Sequence, residues 1–311
     1  MRILLTNDDG ILSPGLTVMA SVLQRFGEVC IAAPADEQSG VGPAITFLNP
    51  LNVKKAFRSG RFWGYAVEGT PVDCVKIGID QLAGGRPDLL VSGINNGLNV
   101  GINVLYSGTV AAVQEGAWQG IPSVAVSTQF ADSRPGAKIG RAAEIAGALI
   151  EKLLTRPHTP GTLYNINIPF SALTDDSERV AAIVPLDMTP HWGAYEKRYD
   201  PINRPYYWLS DRPNPNPSDA NEALTPTVAS TDYGAVASGK IAVTPLSVNL
   251  TCASLLREMK EWNIEPGPEF QFSEQADAHP HDFQIVRWID RPLDDRHAAA
   301  EKDAAGKEWR R

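Results

Sequence analysis

What most constrains this chain is a series of short apolar runs separated by segments with helical spacing. Arg2–Thr6, Glu28–Ala33, Pro87–Val91, Pro122–Ser127 and Leu163–Ile168 each read as a strand buried on both faces. Between them, Pro14–Gln24 places Leu16, Met19, Ala20 and Leu23 on one helical face. Pro71–Leu82 does the same with Val72, Val75, Ile79 and Leu82. Thr109–Gln119 reads as another helix, and Ala142, Ile145, Ala146, Leu149 and Leu153 mark an amphipathic one. Strands alternating with helices imply right-handed crossovers and a parallel sheet. The expected fold is therefore α/β: an open, mostly parallel, Rossmann-like sheet with helices on both faces.

The alternation weakens after about Val180. Short strand-like pieces then alternate with proline-rich loops, notably over Asn203–Pro226, followed by a strand at Ile241–Pro245 and a helix at Cys252–Trp262. Beyond Pro266 the chain turns polar and rich in Pro, His and Asp. The expected organisation is an α/β core over 1–180, a β-containing extension over 181–262 and an added polar tail over 263–311. Ile45–Phe57 and Arg61–Val67 are expected to form a hairpin through Ser59-Gly60.

In an open parallel sheet, ligands bind beyond the carboxyl ends of the strands, so the loops that follow strands deserve the closest reading. The first is Asn7-Asp8-Asp9-Gly10. Adjacent carboxylates at an apolar sheet edge repel one another, and a divalent cation would relieve them, although the same residues also suit a solvated turn. The second loop, Asp36 to Gly42, carries Ser39 between flexible neighbours. The third, Ser92 to Gly101, holds Asn95, Asn96 and Asn99 with three glycines. It leads to Tyr106-Ser107-Gly108-Thr109 at a helix start, where the dipole and peptide N–H groups favour an anion.

Together these loops outweigh each alone. Asp8, Asp9, Ser39 and Asn95 offer only oxygen, which suits Mg²⁺ or Mn²⁺, with Ca²⁺ as a further occupant, and disfavours zinc. A hard cation beside a helix N-terminus is a phosphate site, with Ser107 and Thr109 placed to donate to phosphoryl oxygens. The 28 basic and 36 acidic residues give a net charge of −8, which argues against a nucleic-acid polymer as the main ligand. It leaves room for a small phosphorylated one. The three cysteines, Cys30, Cys74 and Cys252, suggest neither a disulfide framework nor a zinc knuckle. No secretory leader or membrane span is apparent, so a cytoplasmic protein is expected.

The motifs ILLTNDDGILSPGL, APADEQSGVG, SGINNGLNVG and YSGTVAAVQEG, together with RPYYWL and the segment from Thr231 to Leu246, resemble the SurE survival-protein family. The resemblance runs from Met1 to about Trp262. It implies a metal-dependent 5′/3′-nucleotidase with acid phosphatase activity, acting on nucleoside monophosphates. It places the metal on Asp8, Asp9, Ser39 and Asn95, with Asp8 and Asp9 catalytic, and the phosphate side on Asn99, Ser107, Gly108 and Thr109. It also implies a homodimer or homotetramer, with 1–180 as the catalytic core and the 181–262 extension as the oligomerising part. The chain departs from the family pattern at Ile102-Asn103, where acidic residues are frequent, and at Lys240, where an aromatic is common. Tyr206, Tyr207 and Trp208 suit base stacking or packing equally. No histidine is placed by sequence near the acidic pair, so a phosphohistidine route has no support. Two rivals stay open: a non-catalytic nucleotide sensor or scaffold, and a receiver-like phosphoacceptor. The second is weakened by Ser92-Gly93-Ile94-Asn95, which stands where its third aspartate belongs.

Overall fold

A computed structural model describes residues 1–129, 136–174, 180–189, 193–213 and 230–262. The strands are β1 (Arg2–Thr6), β2 (Glu28–Pro34), β3 (Val53–Arg58), β4 (Arg61–Val67), β5 (Leu89–Asn96), β6 (Ser123–Thr128), β7 (Thr162–Ile168), β8 (Ala181–Ile183), β9 (Gly193–Tyr199), β10 (Pro205–Pro213) and β11 (Ile241–Ser247). The α-helices are α1 (Pro14–Leu23), α2 (Pro71–Ile77), α3 (Gly108–Trp118), α4 (Gly136–Leu154), α5 (Asp232–Ala237) and α6 (Ala253–Met259). The chain divides into two units, Met1–Trp192 with Pro213–Thr251, and Gly193–Arg212 with Cys252–Arg311.

The first unit is built on a nine-stranded sheet in the order β3-β4-β2-β1-β5-β6-β7-β11-β8. From β4 to β7 neighbouring strands are parallel, with Leu4 of β1 opposite Cys30 and Leu90. The antiparallel pairs are β3 on β4 at one side and β11 on β7 at the other. Because strand side chains alternate, each central strand feeds two cores. Ile3, Leu5, Val91, Val126 and Ile166 pack with α1 and α4. Leu4, Leu90, Ala125 and Leu163 face the other way, toward α2 and α3. The sheet is thus mostly parallel and covered by helices on both sides, as expected from the sequence.

The helix ends follow the local chemistry. Ser13 caps α1 ahead of Pro14 and Thr70 caps α2 ahead of Pro71, where proline loses no helical hydrogen bond. The apolar face of Pro71–Leu82 is continuous, but its last turn, Gly78–Leu82, widens to a π-helix. Helix α3 seats closely on the sheet at Gly116, where a Cβ would come within 2.2 Å of Leu90 Cδ2. Leu90 is fully buried. Leu90→Ala should lower the free energy of unfolding by about 2–5 kcal/mol in urea titration. A change below about 1 kcal/mol would contradict this packing.

Three expectations are corrected. The strand expected at Ile45 starts at Val53, because Asp73 accepts from the peptide N–H and the hydroxyl of Thr46 and holds that stretch as a loop. The hairpin itself stands, with positive φ at both Ser59 (49°) and Gly60 (75°), as its tight turn requires. The strand expected to end at Val91 continues through Asn96. Finally, part of the glycine- and asparagine-rich stretch before α3 forms a short 3₁₀ turn, Gly101–Leu105.

After Val180 the chain returns β8 and β11 to the main sheet, with α5 between them. The second unit contains the two-stranded sheet of β9 and β10, and α6. No residue of α6 is buried; Leu255, Leu256 and Met259 are exposed. Among the described residues no helix is long and apolar enough to cross a membrane. The tail over 263–311, with His279, His281 and His297, and also His191, lies outside the described residues.

Candidate active site

The acidic loop follows β1, at its carboxyl end. Asn7 shapes the turn: its Nδ2 donates to the Gly10 carbonyl (3.0 Å) and to Ser13 Oγ (2.7 Å), tying the loop to the cap of α1. Asp8, only 4% exposed, is pulled inward. Thr109 Oγ1 donates to Asp8 Oδ1 at 2.5 Å, and the Thr109 peptide N–H also reaches this carboxylate. Gly108 makes that approach sterically feasible, since a Cβ there would lie 2.8 Å from Asp8 Cβ and 3.0 Å from Oδ2. The start of α3 is therefore built around Asp8. On its other side, the Gln38 peptide N–H donates to the Asp8 carbonyl at 2.8 Å and brings the second loop alongside.

Asp9 is more open and accepts from the peptide N–H of Asn96 at the end of β5. Burial raises the Asp8 carboxyl pKa, and the Thr109 hydroxyl opposes the rise. Burial also pushes Asp9 up to about 7, helped by repulsion from Asp8 and Glu37. The charged neighbours acting on the pair are thus themselves carboxylates. Bringing these anions together without a cation is unfavourable, which is what a cation-binding site requires of its ligands.

The neutral oxygens are near but arranged differently. Asn95 stands beside the residue whose N–H meets Asp9, and its own Nδ2 donates to the Gly97 carbonyl at 2.8 Å, fixing the amide. Ser39, exposed on the second loop, donates to Glu37 Oε1 at 2.6 Å. Among the described residues no group of three or more His, Cys, Asp or Glu side chains is disposed to hold a metal. The acidic pair would have to be completed by neutral oxygen donors, and Ser39 and Asn95 are of that type.

The phosphate-side candidates are brought to the same edge, with their hydroxyl groups engaged in a way the sequence did not suggest. The Ser107 hydroxyl caps α3 by accepting from Val110 N–H at 3.1 Å, and the Thr109 hydroxyl binds Asp8. Asn99 is buried and held on three sides. Its N–H donates to Asn167 Oδ1 (2.7 Å), its carbonyl accepts from the side chains of Asn165 (2.7 Å) and Asn167 (3.0 Å), and its Nδ2 donates to Ser127 Oγ (2.8 Å).

Sequence reasoning missed Asn165 and Asn167. The available signal was two asparagines on one face of an otherwise apolar central strand, where buried amides demand partners. It also missed Asp187 and Asp232, both buried, which bond to one another's segments, and of which Asp232 also accepts from the Gly101 N–H. Tyr206, Tyr207 and Trp208 are exposed on β10 in the second unit. His158, in a proline-flanked segment, is partly buried and lines a cavity of about 100 Å³ with Leu89, Ser123 and Tyr164.

A doubly wound α/β sheet with Asp8 of an acidic pair set on a helix N-terminus at its carboxyl edge places the chain among the α/β proteins whose ligand sites lie beyond the carboxyl ends of their strands. Within that class the chain belongs to the SurE family. The family model described as "Survival protein SurE" matches residues 3–192. A relative from Rhodopirellula baltica, named 5′-nucleotidase SurE, is 46% identical over 86% of this chain and all of its own length. One of the same name from Chlorobium phaeobacteroides is 40% identical over 85% of this chain and 97% of its own. The crystal structure of the SurE protein from Aquifex aeolicus superposes with a TM-score of 0.65 at 33% identity, covering 83% of this chain and 98% of that one.

Proposed function

We propose that this chain is a metal-dependent phosphomonoester hydrolase that releases phosphate from nucleoside 5′- and 3′-monophosphates. The observation that carries the reading is the Asp8–Asp9 pair, with Asp8 seated on the start of α3 and the further carboxylate of Glu37 acting on both. The relatives' name, 5′-nucleotidase SurE, supports the substrate class. In this reading Asp8, Asp9, Ser39 and Asn95 hold Mg²⁺ or Mn²⁺. Such an ion, when bound, supplies a Lewis-acid charge for a phosphoryl oxygen.

The chain's own residues do the rest. Thr109 fixes Asp8 in one orientation, so that carboxylate needs no rearrangement. Asp9, the more open of the two, accepts the proton of the attacking water at a carboxylate oxygen. The water oxygen bonds to phosphorus as the ester P–O bond breaks; the departing nucleoside oxygen takes a proton from solvent and leaves as its alcohol, and Asp9 returns its own proton to solvent. Asn99, Ser107, Gly108 and Thr109 form the phosphate side. Ser107 and Thr109 serve it through the helix end they build, and Asn99 through the loop it anchors.

We also propose that 1–180 is the catalytic core, that 181–262 is an extension which returns β8 and β11 to the main sheet and otherwise serves assembly, that 263–311 is an added tail, and that the protein is a cytoplasmic homodimer or homotetramer. The exposed apolar side chains of α6 support self-association through the extension.

The test is phosphate release from a panel of nucleotides with Mn²⁺ or Mg²⁺, then with chelator. Release that stops on chelation and returns on adding metal is expected. Nucleotide binding without release from any phosphomonoester would instead favour a sensor, and undiminished release in chelator would overturn the metal requirement.

A further inference from the structure

Asp232 opens α5 and is fully buried. Its carboxylate accepts three peptide N–H groups at 2.8 Å each: Gly101 on Oδ2, and Asp187 and Tyr233 on Oδ1. Three such bonds satisfy both oxygens of a carboxylate that no water reaches. The bond to Gly101 differs from the other two in joining segments 131 residues apart.

Gly101 occupies a crowded position. It has a φ of +55°, and a Cβ on it would lie 2.8 Å from the Asp187 carbonyl. From Gly101 the 3₁₀ turn runs to Leu105, and the Tyr106 and Ser107 N–H groups both bond back to the Asn103 carbonyl. Ser107 then caps α3, whose Thr109 holds Asp8. Two residues before Gly101, Asn99 is gripped by Asn165 and Asn167. The loop between β5 and α3 thus has two clamps, asparagines of β7 on Asn99 and Asp232 on Gly101.

We propose that Asp232 is a positioning residue for phosphate release: by fixing Gly101 it sets where the loop and the start of α3 stand beside the acidic pair. The proposal rests on the reading of that loop as the phosphate side. A carboxylate is required because both of its oxygens accept. An asparagine of the same shape has one acceptor, and if that oxygen keeps Asp187 and Tyr233, the amide NH₂ is turned on the Gly101 N–H and the loop clamp alone is lost.

The experiment compares wild-type and Asp232→Asn full-length protein in three measurements: kcat and KM for a nucleoside monophosphate in saturating Mn²⁺, Mn²⁺ affinity by calorimetry without substrate, and amide hydrogen exchange. In the variant kcat/KM should fall about 10- to 100-fold. Mn²⁺ affinity should stay within about threefold, and exchange over 101–107 should quicken. Thr231→Val removes the α5 cap and the Thr231 bond to Asp187 but keeps the Asp232 carboxylate. It should lower thermal stability while leaving kcat/KM within about threefold.

Unchanged kcat/KM and exchange in folded Asp232→Asn would overturn the proposal, as would an equal loss in Thr231→Val. The wild-type protein supplies a test that needs no variant, since the Gly101 amide should be among the most protected in its loop, and rapid exchange there would refute the clamp. If the wild type released no phosphate at all, the hydrolase reading would fail while the exchange data still judged the clamp.

Discussion

Asp9→Asn should lose at least about a thousandfold in phosphate release, equivalent to roughly 4 kcal/mol of transition-state stabilisation, and yet become more stable without metal. The two effects have one cause. Asn preserves the size of the side chain and an oxygen for the Asn96 N–H, while removing the charge that burial, Asp8 and Glu37 all oppose. Relief of that repulsion should raise the thermal midpoint of the metal-free protein by about 2–4 °C, as expected for about 1 kcal/mol in a domain of this size. The added stability should vanish in Mn²⁺, which stabilises only the wild type. Phosphate assays and melting curves with and without metal measure both. Activity within tenfold of wild type would remove Asp9 from the reaction.

The second large effect should come from a single methyl group. Gly108→Ala puts a Cβ 2.8 Å from Asp8 Cβ, 3.0 Å from its Oδ2 and 3.1 Å from Pro71 Cγ. Something must move, and Asp8 stands at the centre of the contact. A displacement of about 1 Å at a reacting centre costs on the order of a hundredfold in rate, and that loss in kcat/KM is expected here. Gly140→Ala in α4 is the control, since its added Cβ meets nothing within 4 Å. It should stabilise the helix by up to about 1 kcal/mol and leave turnover unchanged. If Gly108→Ala turned over at the wild-type rate, the close seating of α3 on Asp8 would be wrong.

These two sites differ in how readable they were. The acidic pair is visible because Asp8 and Asp9 are adjacent and end an apolar strand, so local sequence carries both the charge and the placement. The parallel order was legible for the same reason: β1 and β2 are continuous apolar runs, and helical periodicity between them dictates the crossover. Thr109 was recognised as belonging to the site, but its partner was not, because the bond to Asp8 spans 101 residues. Asp232, Asn165 and Asn167 act at similar range, and nothing near them in the chain names the groups they hold.

The misjudged boundaries have physical causes too. Ser92-Gly93 looks like the beginning of a loop, yet β5 passes through it. Gly93 lies so close to β6 that a Cβ would sit 2.3 Å from the Val126 carbonyl. Conversely, Ile45 and Phe47 have strand-forming side chains, but Asp73 takes the hydrogen bonds of Thr46 that a sheet partner would need.

The distance in sequence between Gly101 and Asp232 also orders events during synthesis. Asp8 and Thr109 are both present once a little more than a third of the chain is made, and their bond can close soon after that point. The residue that clamps Gly101 is translated 131 residues after it. At about 5–20 residues per second that is a delay on the order of ten seconds. A nascent chain therefore carries its acidic pair well before it can lock the neighbouring loop, and any product ending before Thr231 would keep the one without the other.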